Sequence, residues 1–224
     1  MITTVDVETS WQVTSTGGYD PSPFHPDNIL VSVGINDEYY FTNHSERIDK
    51  GCYHNIQSVL DKTTLLIGHN IKFDLMWLLE SGFKYSGRVY DTMLGEYILN
   101  RGIRKSLTLE MSCRRRRIGS KDSRIKEFTD RGIPFQNIPV GLVEEYGRMD
   151  VQITRDLFNS QMADFKMPKN KHLLKTAKMM NEFLVVLSDM ERNGINVSLD
   201  ELSKVEREYR AEFAYLKQKI DKIV

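Results

Sequence analysis

Acidic residues interrupt three of the most apolar stretches of this chain, and nothing else in it constrains the fold as strongly. Asp6 and Glu8 stand in the β-branched run that begins at Ile2. Asp74 stands in Ile71 to Leu79, and Asp150 lies among Tyr146, Met149 and Ile153. A carboxylate in apolar surroundings must be neutralised, paired or bound to a cation. Few basic residues lie near these four, so a shared divalent cation is the simplest partner. Oxygen-only ligation points to magnesium or manganese rather than zinc. The fold is therefore expected to bring residues 6, 8, 74 and 150 into one pocket.

Local patterns place each acid on an element. Residues 2–7 read as a strand, so Asp6 and Glu8, at i and i+2, share one face. Two further strands, Ile29 to Ile35 and Glu38 to Thr42, flank a tight turn at Asn36-Asp37. Thr64 to Gly68 is a short buried strand, and Ile71 to Glu80 a helix closed by Ser81-Gly82. Asn70 and Asp74, four apart, lie on one side of that helix. Val89-Tyr90 is a last strand, and Asp91 caps the helix that runs to Leu99. Leu107 to Arg117 reads as a helix, residues 118–138 as polar and irregular, and Val140 to Phe165 as a long helix carrying Tyr146 and Asp150. Strands first, then strands alternating with helices, predict an α/β fold with a mixed sheet flanked by helices.

The tail differs. Met167 to Lys171 reads as a linker, and His172 to Arg192 as a helix stopped by Asn193-Gly194. Ser198 and Glu201 form a capping box that starts a second helix, with an apolar stripe at Leu202, Val205, Tyr209, Phe213, Leu216, Ile220 and Ile223. Such a stripe needs a partner surface, in a C-terminal part that follows or in another protein.

Composition narrows the function classes. Lys+Arg and Asp+Glu both number 31, which excludes a globally basic nucleic-acid binder but leaves room for a local basic strip. Arg114 to Arg117, with Lys121, Arg124 and Lys126, is the candidate strip for phosphate contacts, although charge runs are more often solvated faces. Cys52 and Cys113 show no ligand spacing and read as reduced thiols. No apolar run approaches the ~20 residues of a membrane span, so no membrane partner and a cytoplasmic location are expected.

Taken one at a time, the motifs also have plain structural readings: an exposed strand face, a helix cap, a salt-bridged core edge. Taken together, Asp-x-Glu, Asn-x-x-x-Asp and Tyr-x-x-x-Asp, in this order, resemble the three motifs of DEDDy 3′–5′ exonucleases. More narrowly, the chain resembles the proofreading domain of phage-type family A (polymerase I-like) DNA polymerases. Thr4 to Thr9, Gly68 to Asp74, Asp91 to Tyr97, Ser106 to Leu109 and Met190 to Ile195 carry that resemblance. It implies a ribonuclease H-like fold, with an exonuclease domain over 1–166 and a helical extension over 167–224 similar to the start of a polymerase thumb.

The resemblance also implies two Mg2+ or Mn2+ ions held by Asp6, Glu8, Asp74 and Asp150. Tyr146 would orient the attacking water, and Asn70 would hold the 3′-terminal nucleotide. Thr9, His69 and Lys72 would be further substrate contacts. Trp11, Phe73 and Tyr146 are candidates for base stacking, with a core role expected for the first two. The implied substrate is a single-stranded DNA 3′ end, and the implied partner a polymerase domain reached through the C-terminal helices. The first motif begins at residue 6, so no 5′-nuclease domain is expected before it. An RNA-trimming exonuclease of the same superfamily and a non-catalytic module of the same fold are the rival readings.

Overall fold

The computed structural model describes residues 1–119 and 124–222. Lys121, one of the basic residues noted above, lies outside them. Strand β1 (Ile2–Thr9) is followed by two short strands, β2 (Gln12–Val13) and β3 (Tyr19–Asp20), and then by β4 (Leu30–Ile35) and β5 (Glu38–Phe41). Next come α1 (Cys52–Asp61), β6 (Leu65–Gly68), α2 (Ile71–Glu80), β7 (Arg88–Asp91), α3 (Thr92–Leu99) and α4 (Leu109–Arg116). Helix α5 (Arg124–Thr129), α6 (Val140–Lys166), α7 (Leu173–Asn193) and α8 (Leu199–Asp221) complete the order, with a 3-10 turn at Phe135–Asn137.

The main sheet has the order β5-β4-β1-β6-β7, and β2 and β3 form a separate ribbon. Strand β1 is central, antiparallel to β4 and parallel to β6, so the sheet is mixed as expected. The register of β1 against β4 shifts between Glu8 and Thr9. A bulge there bends the strand at the end of the first acidic motif.

Alternation along β1 sorts its side chains. Val5 and Val7 enter a core with Ile56, Leu60, Leu75 and Leu78 from α1 and α2. Asp6 and Glu8 therefore point to the opposite face, the face that α6 covers. A second cluster there joins Tyr39 and Phe41 of β5 to Val143 of α6. Two glycines let α6 lie close to the sheet. A Cβ on Gly34, the register partner of Asp6, would run into Val151 of α6, and a Cβ on Gly147 would run into the Tyr39 ring. Gly147 sits inside the third acidic motif, so its missing side chain brings Tyr146 and Asp150 down onto β1.

The chain forms two compact units, Met1–Asp189 and Met190–Val224. Within the first, α7 buries Ala177, Asn181 and Leu184. In the second, α8 starts at the expected cap, where Ser198 Oγ accepts from the Glu201 N–H at 3.3 Å, and it buries no residue. Two expectations change. The polar stretch 118–138 contains α5 and the 3-10 turn, anchored by buried Ile125 and Ile138, and the Gly/Pro-rich stretch from Gly17 to Pro26, which reads as a loop in sequence, includes strand β3. Both elements are too short to give a readable period. Cys52 and Cys113 are free and buried. Among the described residues, no helix is long and apolar enough to cross a membrane.

Candidate active site

Asp6 and Asp150 line one open pocket, with His69, Met93, Leu107, Thr108 and Leu109. No Lys or Arg is among these lining residues. Asp150 is buried on α6, and Glu8 is buried on β1. Tyr146 lies one helical turn before Asp150 and donates its hydroxyl to that carboxylate. Burial, then the charges of Glu8, Asp150 and Asp6, pushes the Tyr146 phenol far above its ordinary range. It therefore stays protonated at neutral pH. It can orient a water by hydrogen bonding, but it is a poor proton acceptor.

Asp74 joins the group from α2. It is 3% exposed, and its Oδ1 accepts from the backbone N–H of Val7 at 3.0 Å, between the two acids of β1. Burial foremost, then the negative charge of Asp6, holds this carboxyl well above the ordinary carboxylate range. Asp6, Glu8, Asp74, Tyr146 and Asp150 thus influence one another electrostatically across β1, α2 and α6.

Among the described residues, no three His, Cys, Asp or Glu side chains already stand as a metal-holding group. The donor chemistry nevertheless suits a hard divalent cation. The donors are carboxylate oxygens, and the charge of Asp6 already raises the Asp74 carboxyl. A cation between them would relieve that repulsion.

The remaining expected site residues fall around this centre. Asn70 precedes α2 with a left-handed backbone, φ 63°, and its side chain is exposed. His69 is half-buried, and both ring nitrogens are engaged, Nδ1 with Thr92 Oγ1 at 2.9 Å and Nε2 with the Leu107 carbonyl at 2.8 Å. It therefore ties α2 to α3 and to the approach to α4 while lining the pocket. Lys72 is half-buried, and Thr9 is buried just past the β1 bulge. Phe73 packs into the core beside Trp77, and Trp11 meets Tyr19 and Phe135 edge-on.

The arginine run divides. Arg115 and Arg116 turn inward onto Glu96, which is 3% exposed, and Arg116 also donates to Asp164 at 2.7 Å and to Ser160 at 3.0 Å. Burial pulls the Arg116 pKa down, but Asp164 and Glu96 more than offset it and the net shift is upward. Arg114 and Arg117 are exposed. Two of the four consecutive arginines are thus spent on internal ion pairs.

The sequence matches the 3′–5′ exonuclease family over residues 18–162. The chain belongs to the 3′–5′ exonuclease family. The matched span contains Asn70, Asp74, Tyr146 and Asp150, and it begins after Asp6 and Glu8. A DNA polymerase I from Borreliella burgdorferi is 27% identical over 138 residues, 62% of this chain and 15% of the polymerase. The chain therefore spans only a small part of that relative. Two solved structures share the ribonuclease H-like fold. Brucella melitensis NrnC bound to pGG has a TM-score of 0.64 at 19% identity, covering 86% of this chain and 85% of that one. The same protein with bound Mg2+ has a TM-score of 0.62 at 18% identity, covering 86% of each chain.

Proposed function

We propose that this exonuclease removes nucleoside 5′-monophosphates from the 3′ end of single-stranded DNA, proofreading for a polymerase of the family A type. The observation that carries the reading is that Asp6 of β1 and Asp150 of α6 line one pocket, while the charge of Asp6 reaches Asp74 of α2 and the charges of Glu8, Asp150 and Asp6 reach Tyr146. Asp6, Glu8, Asp74 and Asp150 would hold two divalent cations, Mg2+ or Mn2+. Bound there, the ions supply charge neutralisation at the scissile phosphate and activation of water. The Mg2+ in NrnC supports the choice of ion.

The chain's own groups do the rest. Tyr146, kept protonated by burial and by its acidic neighbours, donates a hydrogen bond and fixes the direction from which water approaches phosphorus. Asn70, exposed at the start of α2, holds the terminal nucleotide. Thr9, His69 and Lys72 shape the space around it, His69 by fixing the Leu107 carbonyl. Residues 1–166 carry this chemistry, and 167–224 form a helical extension. We assign the protein to the cytoplasm of a bacterium or a phage-infected cell.

The polymerase I relative supports DNA as substrate and a polymerase as partner. A free-standing exonuclease acting on RNA is the second reading, favoured by the match to 85% of the NrnC chain rather than to a domain of a longer protein. Matched 5′-labelled DNA and RNA strands, incubated with Mg2+ or Mn2+, separate the two. The proposal expects a ladder shortening from the 3′ end of DNA. Faster shortening of RNA would favour the second reading, and intact strands with either ion would overturn both.

A further inference from the structure

Asp91 does no chemistry in the scheme above, yet it is 1% exposed and sits where three functional segments meet. It ends β7 in register with Gly68, the residue that precedes His69 and Asn70. One carboxylate oxygen, Oδ1, accepts from the Asn70 N–H at 2.9 Å and from the Met93 N–H at 2.7 Å. The N–H groups of Ile71 and Leu94 also bear on this carboxylate. A single buried acid therefore caps two helices at once, α2 and α3. Both helix starts present N–H groups that lack an intrahelical acceptor.

Asp91 is itself braced. Its N–H donates to Asn181 Oδ1 at 2.6 Å, and Asn181 is buried on α7. The next residue, Thr92, donates to the Gly68 carbonyl at 3.1 Å and contacts His69 Nδ1. What this brace holds is unusual. Asn70 has a left-handed backbone, φ 63°, which a residue with a Cβ adopts only at some cost. The bond from its N–H to Asp91 braces this conformation, and the conformation decides where the exposed Asn70 side chain points.

We propose that Asp91 is a positioning residue for the 3′-terminal nucleotide, acting through the backbone of Asn70. The proposal rests on the reading of Asn70 as the group that holds that nucleotide. Asp91 touches no reacting atom, so its loss should weaken capture of the strand end and leave turnover of captured ends nearly intact.

Steady-state kinetics on single-stranded DNA, with saturating Mn2+ and the full chain, test this. Asp91→Ser is the informative variant. Serine remains a good cap for α3 but is one atom too short to reach Asn70 as well. It should raise KM roughly tenfold, about one hydrogen bond's worth, with kcat within about twofold. Asp91→Asn keeps a carbonyl oxygen at the same reach and should restore KM to within about threefold. Asn70→Ala should raise KM comparably, and adding Asp91→Ser to it should cost nothing further, because the two act on one contact. A raised KM in Asn70→Ala with an unchanged KM in Asp91→Ser would overturn the proposal alone. Independent, multiplying effects would also overturn it. An unchanged KM in Asn70→Ala would overturn it together with the reading of Asn70.

Discussion

Two groups of acids in this protein have opposite electrostatics. Around Glu96 and Asp164, the protein supplies its own cations. Arg115 and Arg116 pair with Glu96, Arg116 also pairs with Asp164, and Gln161 donates to Glu96 at 3.1 Å. Around Asp6, Glu8, Asp74 and Asp150, the charges act on one another, and the Asp74 carboxyl and Tyr146 phenol are both pushed up. Buried charge with an internal partner is complete and acts as structure. Neighbouring like charge is relieved by an external cation, which is why the second group is the one proposed above as the active site. The arginine run, which looks like a nucleic-acid strip in sequence, is spent in part on completing the first group.

The comparison breaks most visibly at Asp6. Asp6→Ala should lower exonuclease rate by about a thousandfold or more while the protein stays folded, as followed by release of nucleotides from labelled DNA. The matching change in the other group has the reverse signature. Arg116→Met leaves Glu96 and Asp164 short of a partner and should lower unfolding free energy by about 3 kcal/mol in urea, with activity per folded molecule retained. Tyr146→Phe removes only a hydroxyl and should reduce kcat about tenfold with ion affinity unchanged. Equal loss of both would make Tyr146 a structural residue.

Smaller effects sharpen the contrast. In chelator, Asp150→Asn relieves repulsion and should stabilise the protein by about 1 kcal/mol, whereas Glu96→Gln should destabilise it by about 2 kcal/mol. Urea unfolding reads both. pH gives a further test. The folded-state pKa of Asp74 lies above its ordinary value of 3.8. Its protonated form therefore contributes stability that is fully present below that ordinary value and is lost as pH rises through the raised folded value. Metal-free protein should thus gain stability as pH falls through that window. Asp74→Asn should flatten this part of the profile.

Much of this was legible in sequence because it rests on local periodicity. The alternation of β1 and the i, i+4 spacing of Tyr146 and Asp150 placed the acids on faces, and those faces meet. The caps at Asp91 and Ser198 were also readable from their residue types. What escaped the sequence depends on distant partners. Nothing local marks Gly34 and Gly147 as the pair that admits α6 to the sheet, since glycines in a strand and a helix read as weaknesses. Four consecutive arginines look alike, and only the approach of Glu96 and Asp164 separates Arg115 and Arg116 from their exposed neighbours. Asp91 read as the cap of one helix, because its second helix starts twenty residues earlier, at Ile71. Helix α5 and the β2–β3 ribbon were too short to announce themselves.

Calorimetric titration of the chelator-stripped protein with Mn2+ tests the central claim most directly. Wild type should bind two ions, and the Asp6→Ala/Asp150→Ala variant none, with Arg116→Met still binding two. Absence of binding to wild type, or undiminished binding to the double variant, would contradict the account.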